Sequence, residues 1–317
     1  MTETLSLSRN RAPRPDTQDR PPRPRRTALP YLLILPAVIA LGFALGYPLV
    51  RQVVLSFQEF GLAQQFGQPP KWIGLANYEE LITDPYLWRV ALRSLVFCLV
   101  NAAVTMVIGV GLALLMRHMA KPIRIAVQSA MLLAWAMPVI ATLTVWQWLF
   151  DTQYGIVNWL LTKSGLDYEG HSWLLQPLSF FFVATVIVVW MSVPFVAFTV
   201  YAALTQVPED LVEAAEIDGA GPFQRLRNIV LPSIRPVLLV VGLLQVIWDL
   251  RVFTQIYVLQ QAGGSTRDTN LLGTYIYRLG IGGGKFGLAA AVAIFMLVLT
   301  VILTAPYVRA MLKQEEA

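Results

Sequence analysis

Between two long apolar runs, at about 178 to 205 and 236 to 260, the chain carries Glu213-Ala214-Ala215, then after three intervening residues Gly219, and after nine more Ile229-Val230-Leu231-Pro232. This charged piece is punctuated as a pair of short helices. Pro208 suits a first helical position, Glu209 and Asp210 fall beside the positive end of the helix dipole, and Gly219 supplies the turn that stops it. The pattern predicts a helix of about eleven residues, with Leu211, Ala214, Ala215 and Asp218 on one face and Glu209, Glu213 and Glu216 on another. The two alanines leave room for close approach of another helix. After Gly221, Pro222 opens a second short helix through Arg225, Leu226, Arg227 and Ile229, which Pro232 closes off. The plainer alternative is a surface connection that satisfies its own hydrogen bonds.

Outward from this piece lie six apolar runs, at about 28 to 50, 89 to 116, 126 to 150, 178 to 205, 236 to 260 and 287 to 311. Each reaches the ~20 residues needed to span a hydrocarbon core. Composition agrees: of 317 residues 56% are hydrophobic and 14% charged, with a mean hydropathy of +0.59, where an ordinary soluble chain carries roughly a quarter charged residues. The expected fold is therefore all-α, a polytopic membrane protein with a six-helix domain over 28–312, a disordered Arg/Pro-rich tail over 1–27 and a short tail over 313–317. The single cysteine, Cys98, cannot pair within the chain, and His118 and His171 stand apart, so neither a disulfide framework nor a metal or cofactor site is expected.

The first run is longer than the apolar core of a secretory signal and lacks a small-x-small cleavage site after it, so it is expected to remain in the mature protein. The twin-arginine reading of Arg25-Arg26, followed by Thr27 and Ala28, is equally weak. An even number of spans puts both termini on one side. Seven arginines lie in the N-terminal tail, three basic residues in 117–125, three in 206–235 and two at the C-terminus. By the positive-inside rule these segments are cytoplasmic. Outside the tail the basic residues divide evenly between the two sides, so the assignment leans on the tail.

Pro36, Pro138 and Pro194 lie inside the first, third and fourth runs. Each removes a helix hydrogen bond, which either serves ordinary kinked packing or shapes a pathway. The second reading needs polar groups at the same depth. The fifth run supplies them in Trp248-Asp249-Leu250-Arg251, where one Asp or Arg at a helix centre costs about 2.5–3.5 kcal/mol on insertion scales. Two residues apart on a regular helix, Asp249 and Arg251 point to different sides and each needs its own partner, on a neighbouring helix, on a partner subunit or along a substrate path.

The pattern E-A-A, three residues, G, nine residues, I-x-L-P is met at Glu213, Ala214, Ala215, Gly219, Ile229, Leu231 and Pro232, and resembles the signature loop of binding-protein-dependent ABC importer permeases. The wider stretch from Val207 to Gly221 resembles the carbohydrate-uptake branch, of the maltose and glycerol-phosphate type. Trp72 to Tyr78, Ile256 to Leu259 with Gly263-Gly264, and Phe286 to Ala291 add to the likeness, which covers nearly everything after residue 28. It implies the type I importer permease fold in a bacterial inner membrane. It also implies that Glu213, Ala214, Ala215, Asp218, Gly219, Ile229, Leu231 and Pro232 couple this chain to a cytoplasmic pair of ATP-binding subunits. A second homologous permease would complete the pathway, and an extracytoplasmic sugar-binding protein would land on residues 51–88, 151–177 and 261–286.

For the sugar path the resemblance points to three helices, carrying residues 135–139, 188–195 and 249–253. Trp135, Ser192, Phe195, Asp249 and Arg251 keep the stacking and hydrogen-bonding chemistry there, while Val139 and Val188 replace polar residues of the maltose-type relative. Without that resemblance Trp135 and Phe195 read as packing residues. No residue needs to touch ATP: the nearest phosphate-loop lookalike, Gly280 to Phe286, has Leu279 where glycine is needed and Phe286 where serine or threonine is needed. Besides the lipid membrane no other partner is called for, nucleic acid included. A secondary transporter would show inverted repeats and broken helices, and a channel a filter loop or Arg repeats. A membrane enzyme would show clustered catalytic residues. None of these patterns stands out.

Overall fold

The computed structural model describes the backbone of residues 29–315. The Arg-rich tail expected over 1–27, and with it the cytoplasmic placing of that end, lies outside the described residues. Two compact units divide at Leu49 and Val50. In the first, the helix Leu29–Leu41 contains Pro36 without breaking and passes into a π-turn over Gly42–Gly46. Its side chains from Leu32 to Leu45 are exposed, and its apolar residues show no preferred face, the pattern of a helix meant to be surrounded by apolar material.

The second unit holds the remaining spans. Pro85–His118, Pro177–Leu204, Arg235–Gln261 and Phe286–Leu312 are each long and apolar enough to cross a membrane. Pro85–His118 opens where Asp84 accepts a hydrogen bond from the Tyr86 amide at 2.8 Å and Pro85 takes the first turn, a favourable start because proline has no N–H to waste there. This helix packs along Pro177–Leu204. At their crossing Gly109 has no room for a side chain: a Cβ there would lie 2.5 Å from Val196 Cγ1. In lipid, where tails are as apolar as the side chains, such close backbone approach replaces hydrophobic burial as the source of helix association.

The run 126–150, expected as one span kinked at Pro138, is two helices, Lys121–Ala136 and Val139–Leu149, bent by 104°. Met137 (φ −67°, ψ 134°) and Pro138 (φ −58°, ψ 135°) are both extended, because a proline ring crowds the residue before it out of the helical region. Pro194, under the same restriction, leaves its helix unbroken. The difference is packing. Lys121–Ala136 buries no residue of its own, whereas Pro194 and its neighbours Val193, Val196 and Ala197 are buried. The first half of the third run has no buried side chain to hold it in line with the second.

The fifth run departs from a regular helix too. Arg235–Leu250 ends, Arg251, Val252 and Phe253 are non-helical, and Thr254–Gln261 resumes. The last helix continues to Glu315, past the expected end near 311. A two-residue antiparallel pair, Gln58–Glu59 with Lys71–Trp72, adds a trace of strand to the expected all-α fold. It is held from below by Asn77, whose side-chain amide donates to the carbonyls of Ser56 and Gln58 at 2.9 and 3.0 Å, and Gly287 donates its amide to Phe60 O at 2.9 Å. Tyr275 donates to Asp84 Oδ2 at 3.2 Å; burial beside that carboxylate pushes its phenol well above the usual tyrosine range.

Candidate functional site

The loop 206–235 is built by local rules. Pro208 sits just outside the first helix, Glu209–Ile217, rather than at its first helical position, with φ −58° and ψ 129°. Glu209 and Asp210 fill the first turn. At the other end Gly219 takes φ +83°. Its amide donates to Glu216 O at 3.0 Å and the Ala220 amide to Ala215 O at 2.9 Å, the paired bonds of a left-handed helix stop that satisfy carbonyls otherwise orphaned. Space is no obstacle at Gly219, since a Cβ would meet nothing within 4 Å. The backbone sign alone demands glycine.

Pro222–Arg225 forms the second helix, but Pro232 does not close it. The chain widens into a π-turn over Leu226–Val230, with the Leu231 amide reaching back to Leu226 O, and helix continues through Leu231–Ser233. A wide turn accommodates a proline that offers no N–H. An ion pair between Arg225 and Glu216 ties the two helices together. Val207, Val230 and Ile234 are buried against Val196, Val200 and Leu204 of the fourth span and Val241 of the fifth, so the loop is rooted in two spans. Outward it shows Glu213, Ala214, Asp218, Gly219 and Pro232, together with Leu211, Ile217 and Phe223 at 52, 86 and 71% exposure; Ala215, Ile229 and Leu231 are half-buried. Ile217 and Phe223 were not singled out from sequence, because an apolar residue inside a helical stretch reads first as packing.

A second site lies within the membrane domain. Trp135, Ser192, Phe195, Asp249 and Arg251, drawn from three spans, line one cavity of about 400 Å³. Both chain breaks open onto it, through Met137 and Val139 on one side and Arg251, Val252 and Phe253 on the other. Three rings form one wall: Trp135 stacks on Phe195 with centroids 6.5 Å apart, and Phe195 meets Trp248 edge-on at 4.9 Å. Asp249 is 2% exposed and both its oxygens accept from Gln245 Nε2 at 3.0 Å.

Asp249 therefore finds its partner on its own helix, four residues back, not on a neighbour. Arg251 lies beyond the last turn, exposed, and makes no ion pair among the described residues. The expected opposition of two charges on a regular helix is replaced by a carboxylate inside it and a guanidinium released by the break. Gln245 was missed from sequence, although its spacing of four from Asp249 is the usual mark of a helical side-chain pair. Trp248 and Gln255 also line the cavity, and Val139 and Val188, placed on the path by resemblance, lie on its wall.

Bent and broken spans around a polar cavity, with a rooted two-helix loop on one face, define a polytopic transport permease of the type I importer fold. The binding-protein-dependent transport system inner membrane component family matches residues 105–309, and the chain belongs to it. Over 288 residues the chain is 44% identical to the diacetylchitobiose uptake system permease protein of Streptomyces coelicolor, covering 90% of this chain and 88% of that one. It is 32% identical to the sulfoquinovosyl glycerol transport system permease protein of Agrobacterium fabrum, with 89% of each chain covered. With the trehalose/maltose transport system permease protein of Thermococcus litoralis it shares 31%, over 90% of this chain and 94% of the other. The fold also resembles a crystal structure of a bacterial ABC transporter that imports alginate, at TM-score 0.75 and 24% identity over 90% of this chain and 95% of that one.

Proposed function

We propose that this permease passes a small oligosaccharide, with diacetylchitobiose the leading candidate, from an extracytoplasmic binding protein into the cytoplasm. A second, homologous permease shares the pathway, and a pair of ATPase subunits docks on the loop 206–235. Both termini and the loop are cytoplasmic in this reading, and the chain itself performs no chemistry on its cargo. The observation that carries the proposal is the cavity. At about 400 Å³ it falls within the range that encloses small ligands. It combines ring faces for the apolar side of a sugar with Ser192, Asp249, Arg251, Thr254 and Gln255 for its hydroxyls. The 44% identical relative is the reason for naming an acetylated amino-sugar disaccharide first.

Mechanically, the lever has what a push requires. The left-handed stop at Gly219 and the Glu216–Arg225 pair stiffen it, and Val230 and Ile234 anchor it in the packed interior below the cavity. Closure of an ATPase pair on the exposed face moves the fourth and fifth spans, which carry Ser192, Phe195, Asp249 and Arg251. The test is reconstitution with the three partners and a panel of disaccharides, reading binding-protein-dependent ATP hydrolysis and uptake. Stimulation by a sugar-loaded binding protein supports the reading; uptake that proceeds without any ATPase subunit overturns it.

A further inference from the structure

Phe253 stands at the second chain break and is the cavity's last aromatic residue on the side away from the loop. It is also the first ring of another set. Its ring stacks on Tyr257 with centroids 5.5 Å apart and 16° between planes, and meets Tyr277 at 5.4 Å and 53°, while Tyr257 and Tyr277 meet edge-on at 5.1 Å. Tyr257 comes from the continuation of the fifth span and Tyr277 from the short helix Leu272–Tyr277 ahead of the last one. Tyr257 lies eight residues beyond Asp249 in the chain, past the break at 251–253.

The Phe253, Tyr257 and Tyr277 rings are not sealed. All three are half-buried, whereas the neighbouring Ile256 and Leu259 on the same helix are 0% exposed. The helix thus turns its aliphatic side chains into the core with Phe180 and Ile187 and leaves its rings partly open. Two of the three rings carry hydroxyls. An apolar face with a polar edge is the surface that binds a sugar ring, whose C–H face needs contact and whose hydroxyls need partners. Thr254 and Gln255, one and two residues beyond Phe253, carry the polar lining from the trio into the cavity.

We propose that Phe253, Tyr257 and Tyr277 form an outer carbohydrate subsite, a platform on which a sugar ring stacks after leaving the binding protein and before entering the cavity. It rests on the reading of that cavity as a sugar path. The platform shortens the step between donor and cavity and selects cargo with an exposed apolar sugar face. Each stacked contact is expected to contribute about a threefold to tenfold gain in apparent affinity.

The test uses the assembled transporter, with its second permease, ATPase and binding protein, in lipid nanodiscs and proteoliposomes, and diacetylchitobiose as the probe. Cys98 is buried, 0% exposed, so Tyr257→Cys and Tyr277→Cys add a single cysteine accessible to a membrane-impermeant maleimide. Binding protein loaded with the disaccharide should slow labelling of both by about threefold or more relative to the empty binding protein. In uptake, Tyr277→Ala should raise the half-saturating concentration of loaded binding protein about threefold to tenfold, and Tyr277→Phe, which keeps the ring but loses its hydroxyl, should raise it by a smaller factor than Tyr277→Ala. Equal labelling with loaded and empty binding protein overturns the subsite. So does loss of the second permease on purification of Tyr277→Ala, which would make the trio an assembly surface. If the unaltered transporter takes up no sugar, the cavity reading itself fails, a result visible before any variant is made.

Discussion

In the loop 206–235, the first helix and its stop are set by residues close in the chain: Glu209 and Asp210 at the helix start, Gly219 at its stop, Glu216 and Arg225 paired nine residues apart. In the cavity, the wall is assembled from residue 135 at one extreme to residue 255 at the other, with Trp135, Ser192 and Asp249 on separate helices. The loop is shaped by backbone conformation and exposes Leu211, Ile217 and Phe223; the cavity is shaped by where helices break and hides a carboxylate. A local device tolerates change everywhere but at its conformational pivot. A device made by convergence is sensitive at each buried polar contact, because the partner left behind stays buried.

Gly219→Val breaks the comparison hardest if it fails. A Cβ at φ +83° costs about 1–2 kcal/mol and more when branched, and the two bonds of the helix stop are lost with it. Uptake and sugar-stimulated ATP hydrolysis should fall by on the order of 100-fold, while the variant inserts normally and the binding protein still captures its sugar. Retained uptake with a stably inserted protein would show that the lever's geometry is immaterial.

Asp249→Leu comes next. It strands the buried Gln245 amide, at about 1–3 kcal/mol for an unsatisfied group, so inserted protein should drop about tenfold or more. Replacing both Gln245 and Asp249 by leucine should restore the protein level on immunoblots but not transport. Restored transport would make the pair purely structural. Phe195→Ala should weaken uptake about threefold to tenfold through lost stacking on either side of it, with assembly unchanged by co-purification. Smallest of all, Glu216→Gln should alter uptake by about twofold or less, since exposed ion pairs contribute little. A large effect there would mean that the strut between the short helices, and not only the stop at Gly219, carries the push.

Most of the loop was legible because caps, dipoles and positive-φ turns act within one helical turn of the residues that cause them. Two prolines departed from expectation there: Pro208 sits one residue outside the helix it was expected to open, and Pro232 does not act as a stop, because a proline has two ways to sit after a helical turn and the choice of a π-turn over Leu226–Val230 goes with the burial of Val230 and Ile234 against other spans. The cavity was legible only in its residue types. Trp135, Ser192, Phe195, Asp249 and Arg251 were brought forward by resemblance to known permeases, and their convergence appears only when the helices are packed. Asp249 and Arg251 illustrate the limit, because a regular helix was the natural reading of an unbroken apolar run.

By itself the sequence determined the solvent this chain lives in, the number of its apolar runs and the helix stop at Gly219, since hydropathy and backbone sign are properties of single residues and short windows. Tertiary structure alone decided which proline breaks a helix. Met137–Pro138 turns the chain by 104° after a helix with no buried residue, while Pro194 stays helical inside a packed crossing. The reason is energetic: one proline's cost to a helix is a few kcal/mol, small enough that the surrounding contacts determine whether the chain turns or holds.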